Sequence, residues 1–303
     1  MGARLSARLG SEGLTPRPVE TRVERFAAMG TRVELHLFGA GEPDALARAR
    51  AEIEAVDDAL TIHRPSPATA MNERLAAGRE AAINDAMLLA ALGEVEDLVA
   101  LTGGLFDPTA DVSRRTGGWP TVTFDRVAAR VGAGHPLALD FGGFGKGYAL
   151  DRAARSLRGS GAVSAFLSAG ESSIAVVGRH PLGGRWPVGI PDPVAPDNYL
   201  VELELEDEAL SISSTVGPFA HAPGRGPTVR PATGEAIVAR RSAVAVDGSG
   251  ARAEALSTAL LIADDGERER LVGGARDRRF VFYFTDGHAT ALIGKEDSSA
   301  HGR

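Results

Sequence analysis

The chain has 303 residues, 33 of them basic and 40 acidic, for a formal net charge of −7, and it contains no cysteine. An apolar fraction of 44% beside 24% charged residues excludes wholesale disorder. Without cysteine there are no disulfides, thiolate metal sites, iron–sulfur clusters or cysteine nucleophiles, and the acidic balance argues against a nucleic-acid partner, which would need basic residues to neutralise phosphates.

Residues 1–24 are rich in Gly, Arg, Pro and Glu without apolar periodicity, and read as a flexible leader. There is no apolar stretch near the start for a signal-peptide core, no cysteine for a lipoprotein anchor, and no run near the ~20 apolar residues that span a bilayer. The expectation is therefore a cytoplasmic protein with no membrane segment. Thr31 to Phe38 alternates, Val33, Leu35 and Leu37 against Arg32, Glu34 and His36, as a half-buried strand does. After the Gly39–Gly41 break, Asp44 is placed to cap a helix carrying Leu46, Ile53, Val56 and Leu60. A second helix starts at Asn84 or Asp85 and stops at Gly103–Gly104, since glycine tolerates the left-handed cap. Leu137–Phe141 is a short apolar segment feeding GGFGKG (Gly142–Gly147), and a third helix follows through Leu157.

Strands are expected at Ala162–Leu167, Ile174–Val177, Trp186–Ile190 and Leu200–Leu205. A Gly/Pro-rich loop spans Gly217 to Gly234, then come a Ser242–Val246 strand, a helix at about 252–262, and strands at Phe280–Phe284 and Ala289–Ile293. Strands and helices intersperse without regular βαβ alternation. That predicts an α+β (mixed α/β) fold, one intertwined domain of sheets flanked by helices, with 296–303 as a tail.

GGFGKG is the most informative short segment. Its glycines let backbone approach a ligand, a strand–turn–helix presents amides at a helix start, and Lys146 adds a charge suited to phosphate. A tight turn with a surface lysine is the plain alternative. A P-loop is excluded: Asp140 stands where its first glycine belongs, and no Ser or Thr follows Lys146. Asp107, Asp140, Asp151 and Glu254 are candidate carboxylates, with Thr258 one turn from Glu254 on the same helix face. Such oxygens suit a hard cation such as magnesium. Turn capping, amide binding or a solvated helix face are the bland readings of the same residues. The histidines lack the spacing of a zinc helix, and Gly170–Ser173 is not a nucleophile elbow.

Taken in order, the segments resemble the ApbE family of FAD:protein FMN transferases. They are AMGT at 28–31, Ser66 to Asn72, LFDPT at 105–109, DFGGFGKGYALD at 140–151, LSAGESSI at 167–174, WPVGIPDP at 186–193, PATG at 231–234 and AEALSTAL at 253–260. The resemblance implies a flavin-nucleotide-binding catalytic domain over residues 25–295, with FAD contacts from Met29, Leu105, Phe106, Asp107, Asp140 and Lys146. It implies a magnesium site from the Gly143 carbonyl, Glu254, Ser257 and Thr258. It also implies the activity: FMN moves from FAD onto a Ser or Thr hydroxyl of an acceptor protein, releasing AMP. No catalytic side chain is assigned.

The chain departs from the family at several points. Where the family carries a histidine and an acid, Pro227 and Arg230 stand, and His221 is out of register. Arg230 is expected to set a positive charge beside the anion site. Glu254 replaces an aspartate, Gly170–Glu171–Ser172 replaces a Gly-Gly-Asp turn, and the aromatic near the serine segment is His63 or missing. These departures leave two alternatives to the transferase: an FAD-binding or regulatory homologue without transfer, or an FAD pyrophosphatase.

Overall fold

The computed structural model describes residues 20–109, 118–195, 197–217, 228–275, 277–285 and 288–293. The expected leader up to residue 19, the tail at 296–303, His221 and Pro227 lie outside these residues. In chain order, the first elements are β1 (Thr21–Ala28), β2 (Thr31–Phe38), α1 (Ala45–Leu60), α2 (Pro67–Ala76), β3 (Ala81–Ala82) and α3 (Ala86–Thr102). Next come β4 (Val122–Asp125), β5 (Arg130–Ala133), α4 (Gly145–Gly159), β6 (Ser164–Ala169), β7 (Ser173–Gly178) and β8 (Trp186–Pro191). The rest are β9 (Tyr199–Leu205), β10 (Ala209–Ser214), β11 (Arg241–Asp247), α5 (Gly250–Ile262), α6 (Asp265–Val272), β12 (Arg279–Thr285) and β13 (His288–Ile293).

The expected α+β architecture is what forms. An 8-stranded sheet in the order β1-β2-β6-β7-β10-β11-β12-β13 is antiparallel throughout. Helices α1, α4 and α5 cover one face, and the β8–β9 ribbon covers part of the other. Successive residues of the central strands therefore enter different cores. On β7, Ala175 and Val177 face the helices while Ile174 and Val176 meet Trp186 and Val188 of the ribbon. On β11, Ala243 and Ala245 pack under α5 while Val244 and Val246 face the ribbon side. A strand buried on both faces reads as a continuous apolar run rather than an alternation.

The first strand lies partly within the segment expected to be leader. Thr21–Glu24, assigned to the leader, already pair with Phe38–Leu35 in a hairpin. β1 is an edge strand whose residues are mostly exposed or half-buried, so it lacks an apolar signature of its own and takes its conformation from β2. Its turn, Met29–Gly30, has φ of 54° and 66°. Positive φ at both central positions is what a two-residue type I′ hairpin demands.

Side-chain caps fix several helix starts, while α4 begins after Phe144 without one. Asp85 accepts from the Leu88 amide, and Gly103 closes α3 in the left-handed region at φ 63°. Ser66 and Thr69 form a capping box around Pro67 on α2. Asp44 precedes α1 as expected, but its carboxylate pairs with Arg48 instead of capping the amides. No helix among the described residues is long and apolar enough to cross a membrane.

Candidate active site

The site grows from the starts of α4 and α5, which approach at backbone distance through Gly147 and Gly250. α4 begins just after the Asp140–Phe144 turn. Asp140 ties that turn on both sides: its carboxylate accepts the Gly142 amide at 2.8 Å, and its own amide donates to the Pro108 carbonyl at 2.8 Å. The LFDPT segment is thereby laid along the glycine turn. Asp107 closes this segment by accepting from the Thr109 amide and hydroxyl and from the Trp119 amide, at 2.7–2.8 Å. Phe106 reaches the turn directly, since a Cβ on Gly143 would lie 3.4 Å from its ring. Leu105 turns the other way and is buried with Leu256 and Leu260 beneath α5.

Met29 arrives from the first hairpin. Its amide donates to Asp57 at 3.1 Å, and a Cβ on Gly145 would lie 2.7 Å from its methyl carbon. A side chain at 145 would push this methyl aside, so the glycine lets Met29 lie beside Lys146. Asn72 supports the opposite flank, exchanging two hydrogen bonds of 2.9 Å with the backbone of Leu139.

Lys146 and Glu254 form the electrostatic centre. Glu254 is buried at 4% exposure, so it is not a solvated helix residue, and Lys146 is not a surface lysine. Lys146 Nζ and Ser173 Oγ (3.0 Å) donate to Glu254 Oε1, and the Gly147 amide donates to Oε2 at 2.7 Å. Burying a carboxylate demands such partners, because an unpaired charge in the interior is strongly unfavourable. Along α5, Ser257 is fully buried, its hydroxyl bonded to Ser211, Ser213 and the Glu254 carbonyl. Thr258 is more open, 3.4 Å from Ser213, and its hydroxyl would lie 3.5 Å from a Cβ on Gly143.

Glu254, Ser257, Thr258 and Gly143 are thus brought to one place. Every donor there is an oxygen, the set a hard cation prefers. Only Glu254 is a carboxylate, and among the described residues no group of three or more His, Cys, Asp or Glu side chains gathers for a metal. The set fits magnesium of the kind completed by water and substrate phosphate oxygens. Ser257 stands behind Glu254 and Thr258 within the serine network.

Asp151, on the same helix as Lys146, holds the start of α5. Its oxygens accept from the Gly250 amide (2.6 Å), the Ala251 amide (3.0 Å) and the Ser249 hydroxyl (2.7 Å). Burial pushes its carboxyl pKa up, partly opposed by those three donors.

Arg230 is not beside this centre. Its guanidinium donates to the Ile262 carbonyl at 3.1 Å and to Glu267 at 2.6 Å, at the carboxyl end of α5. Ile262 lies eight residues beyond Glu254, about 12 Å along a helix. A cation is favoured at that helix end, where backbone carbonyls lack partners. The expected positive charge at the anion site is instead a cap on α5.

Ser173, Ser211, Ser213 and Asp57 are the site residues that sequence reasoning missed. The two β10 serines carried a signal: they alternate with Leu210 and Ile212, the pattern of a strand with one polar and one apolar face.

The family model of the ApbE family matches residues 29–281. The chain belongs to the ApbE family. A curated relative, the FAD:protein FMN transferase of Rhodobacter capsulatus, is 29% identical over 198 residues, 56% of this chain. The match spans 37% of that relative's length. Among solved structures, the flavin transferase ApbE of Vibrio cholerae superposes with a TM-score of 0.76 at 20% identity, covering 92% of this chain and 98% of that one. The Pseudomonas stutzeri flavinyl transferase ApbE, in its apo form, gives 0.76 at 20% identity over 93% and 97%. The Thermotoga maritima ApbE protein gives 0.76 at 19% identity over 91% and 97%. These structures share the ApbE fold with this chain.

Proposed function

We propose that the protein is a magnesium-dependent FAD:protein FMN transferase, with Met29, Phe106, Asp107, Asp140 and Lys146 around the nucleotide. The observation that carries this reading is the convergence of Lys146, Gly143, Glu254 and Thr258 beside the glycine turn. An ammonium, a helix start and an oxygen set for one cation together match the charge of a pyrophosphate. In the transfer, a Ser or Thr oxygen of the acceptor protein bonds to the FMN phosphorus and the anhydride bond to AMP breaks. AMP leaves with the bridging oxygen, and the hydroxyl proton passes to solvent.

The chain's own groups supply positioning and charge, which is most of what phosphoryl transfer asks of a protein. Lys146 attracts the phosphate oxygens and Phe106 lines the turn. Asp140 and Asn72 hold that turn in shape. Magnesium, held by Glu254, Thr258 and the Gly143 carbonyl with Ser257 behind them, would add charge stabilisation at the phosphate oxygens.

A second reading, FAD binding without transfer, is favoured by Arg230. The register position of the family acid is committed to α5 and Glu267, and so supplies no carboxylate. Incubation with FAD and magnesium, with and without a candidate acceptor protein, separates the readings. Transfer gives covalent flavin on the acceptor together with AMP. Hydrolysis gives FMN and AMP without an acceptor, and binding alone gives neither.

A further inference from the structure

The Glu254 carboxylate is already occupied, and its occupant is a cation. Lys146 Nζ sits on Oε1, the Gly147 amide on Oε2, and Ser173 completes the set. A divalent ion reaching Glu254 would meet the ammonium at the same oxygen, and two cations at contact distance repel strongly where solvent screening is weak. The pair is well sheltered, with side-chain exposures of 16% for Lys146 and 4% for Glu254.

The partners differ in how freely they can leave. The Gly147 amide and the Ser173 hydroxyl are fixed by α4 and β7, so they hold the carboxylate in position whatever the lysine does. Lys146 is a point charge on a flexible four-carbon stem, on the second residue of α4, and is the one member able to swing away. The glutamate side chain reaches one methylene further across the α4–α5 seam than an aspartate would.

We propose that Lys146 holds the cation site shut, and that a pyrophosphate-bearing nucleotide opens it by drawing the ammonium off Glu254. This rests on the reading of the glycine turn as a nucleotide site. Nucleotide and divalent cation then bind as a coupled pair: each raises the affinity for the other by the same factor, as linkage requires.

The test is a calorimetric titration of the full chain with Mn²⁺ alone, and again with FAD present. Wild type takes up Mn²⁺ weakly by itself and more tightly with FAD, by a coupling of roughly 5–150-fold. Lys146→Met and Lys146→Gln each bind Mn²⁺ more tightly than wild type without nucleotide, and their dependence on FAD shrinks. Adding Glu254→Gln to either variant abolishes the gain. Where wild type binds FAD, equal Mn²⁺ affinity of the free and the FAD-bound protein overturns the proposal, even if neither variant folds. So does a folded Lys146 variant whose affinity for Mn²⁺ alone matches wild type. If wild type binds no FAD, the nucleotide reading fails instead, and a gain of Mn²⁺ binding in the Lys146 variants still supports the ammonium as the block.

Discussion

Gly147 of α4 and Gly250 of α5 meet with no room for a side chain: a Cβ on Gly147 would lie 2.1 Å from the Gly250 carbonyl oxygen. The contact is backbone on backbone, so no rotamer change relieves it. It also sets the distance across which Lys146 reaches Glu254. Gly147→Ala should separate the helices and destabilise the fold by about 1–3 kcal/mol, as overpacking does, read as a lower urea midpoint. Gly159→Ala, at a position with open space around it, is the control and should not destabilise.

Removing Lys146 should cost stability as well as ligand affinity. A glycine-turn lysine read from sequence suggests a group waiting for a ligand, but the structure gives it a buried partner. Breaking a buried pair leaves an uncompensated charge, at about 3–5 kcal/mol. The two remaining donors on Glu254 bring Lys146→Ala toward or below the low end of that range. Lys146→Ala with Glu254→Gln should recover most of the loss. Thermal melting of the two single variants and the double variant measures the coupling.

Asp151 should give stability a recognisable pH dependence. Burial raises its folded pKa, so the folded state holds its proton more tightly than the unfolded chain. The stability from this group is fully present below the unfolded pKa and is lost as pH rises through the folded one. Asp151→Asn removes that slope and turns an amide toward groups that are themselves donors. At neutral pH the variant should be less stable by about 1–3 kcal/mol. The gap should widen as pH falls from neutral toward the ordinary carboxylate range, in paired urea titrations.

Arg230 should act on stability at the end of α5. Arg230→Asp exchanges a bond to Glu267 and the Ile262 carbonyl for repulsion from both. Its loss should cost about 1.5–3 kcal/mol, the range for hydrogen bonds to charged groups. Adding Glu267→Lys should return part of it. Thermal melting is again the measurement, and an unchanged Arg230→Asp would show that the cap contributes nothing.

How legible the molecule was depended on whether a feature is local. α3 declared both ends, Asp85 and Gly103, because caps are short-range chemistry. GGFGKG and EALST stood out as segments, yet nothing linked Lys146 to Glu254, 108 residues apart. No periodicity records a contact between two helix starts. β1 and β10 were missed for opposite reasons: one is an edge strand whose apolar residues Val23, Phe26 and Ala27 stay exposed or half-buried, while the other carries serines into a buried polar seam. α2 was hidden by a short, weakly apolar sequence that owes its start to Ser66, Pro67 and Thr69. Arg230 was visible as a departure, but only α6 reveals which carboxylate it serves.

Equilibrium titration of FAD fluorescence reads directly whether the Lys146–Glu254 centre binds the nucleotide. Wild type should quench FAD saturably at one site. Lys146→Ala with Glu254→Gln keeps the buried seam free of an unpaired charge, and should bind FAD at least about tenfold more weakly, as expected for losing a charge-assisted bond. No saturable quenching by wild type, or equal affinity in the folded double variant, would mean that the nucleotide does not bind at this centre.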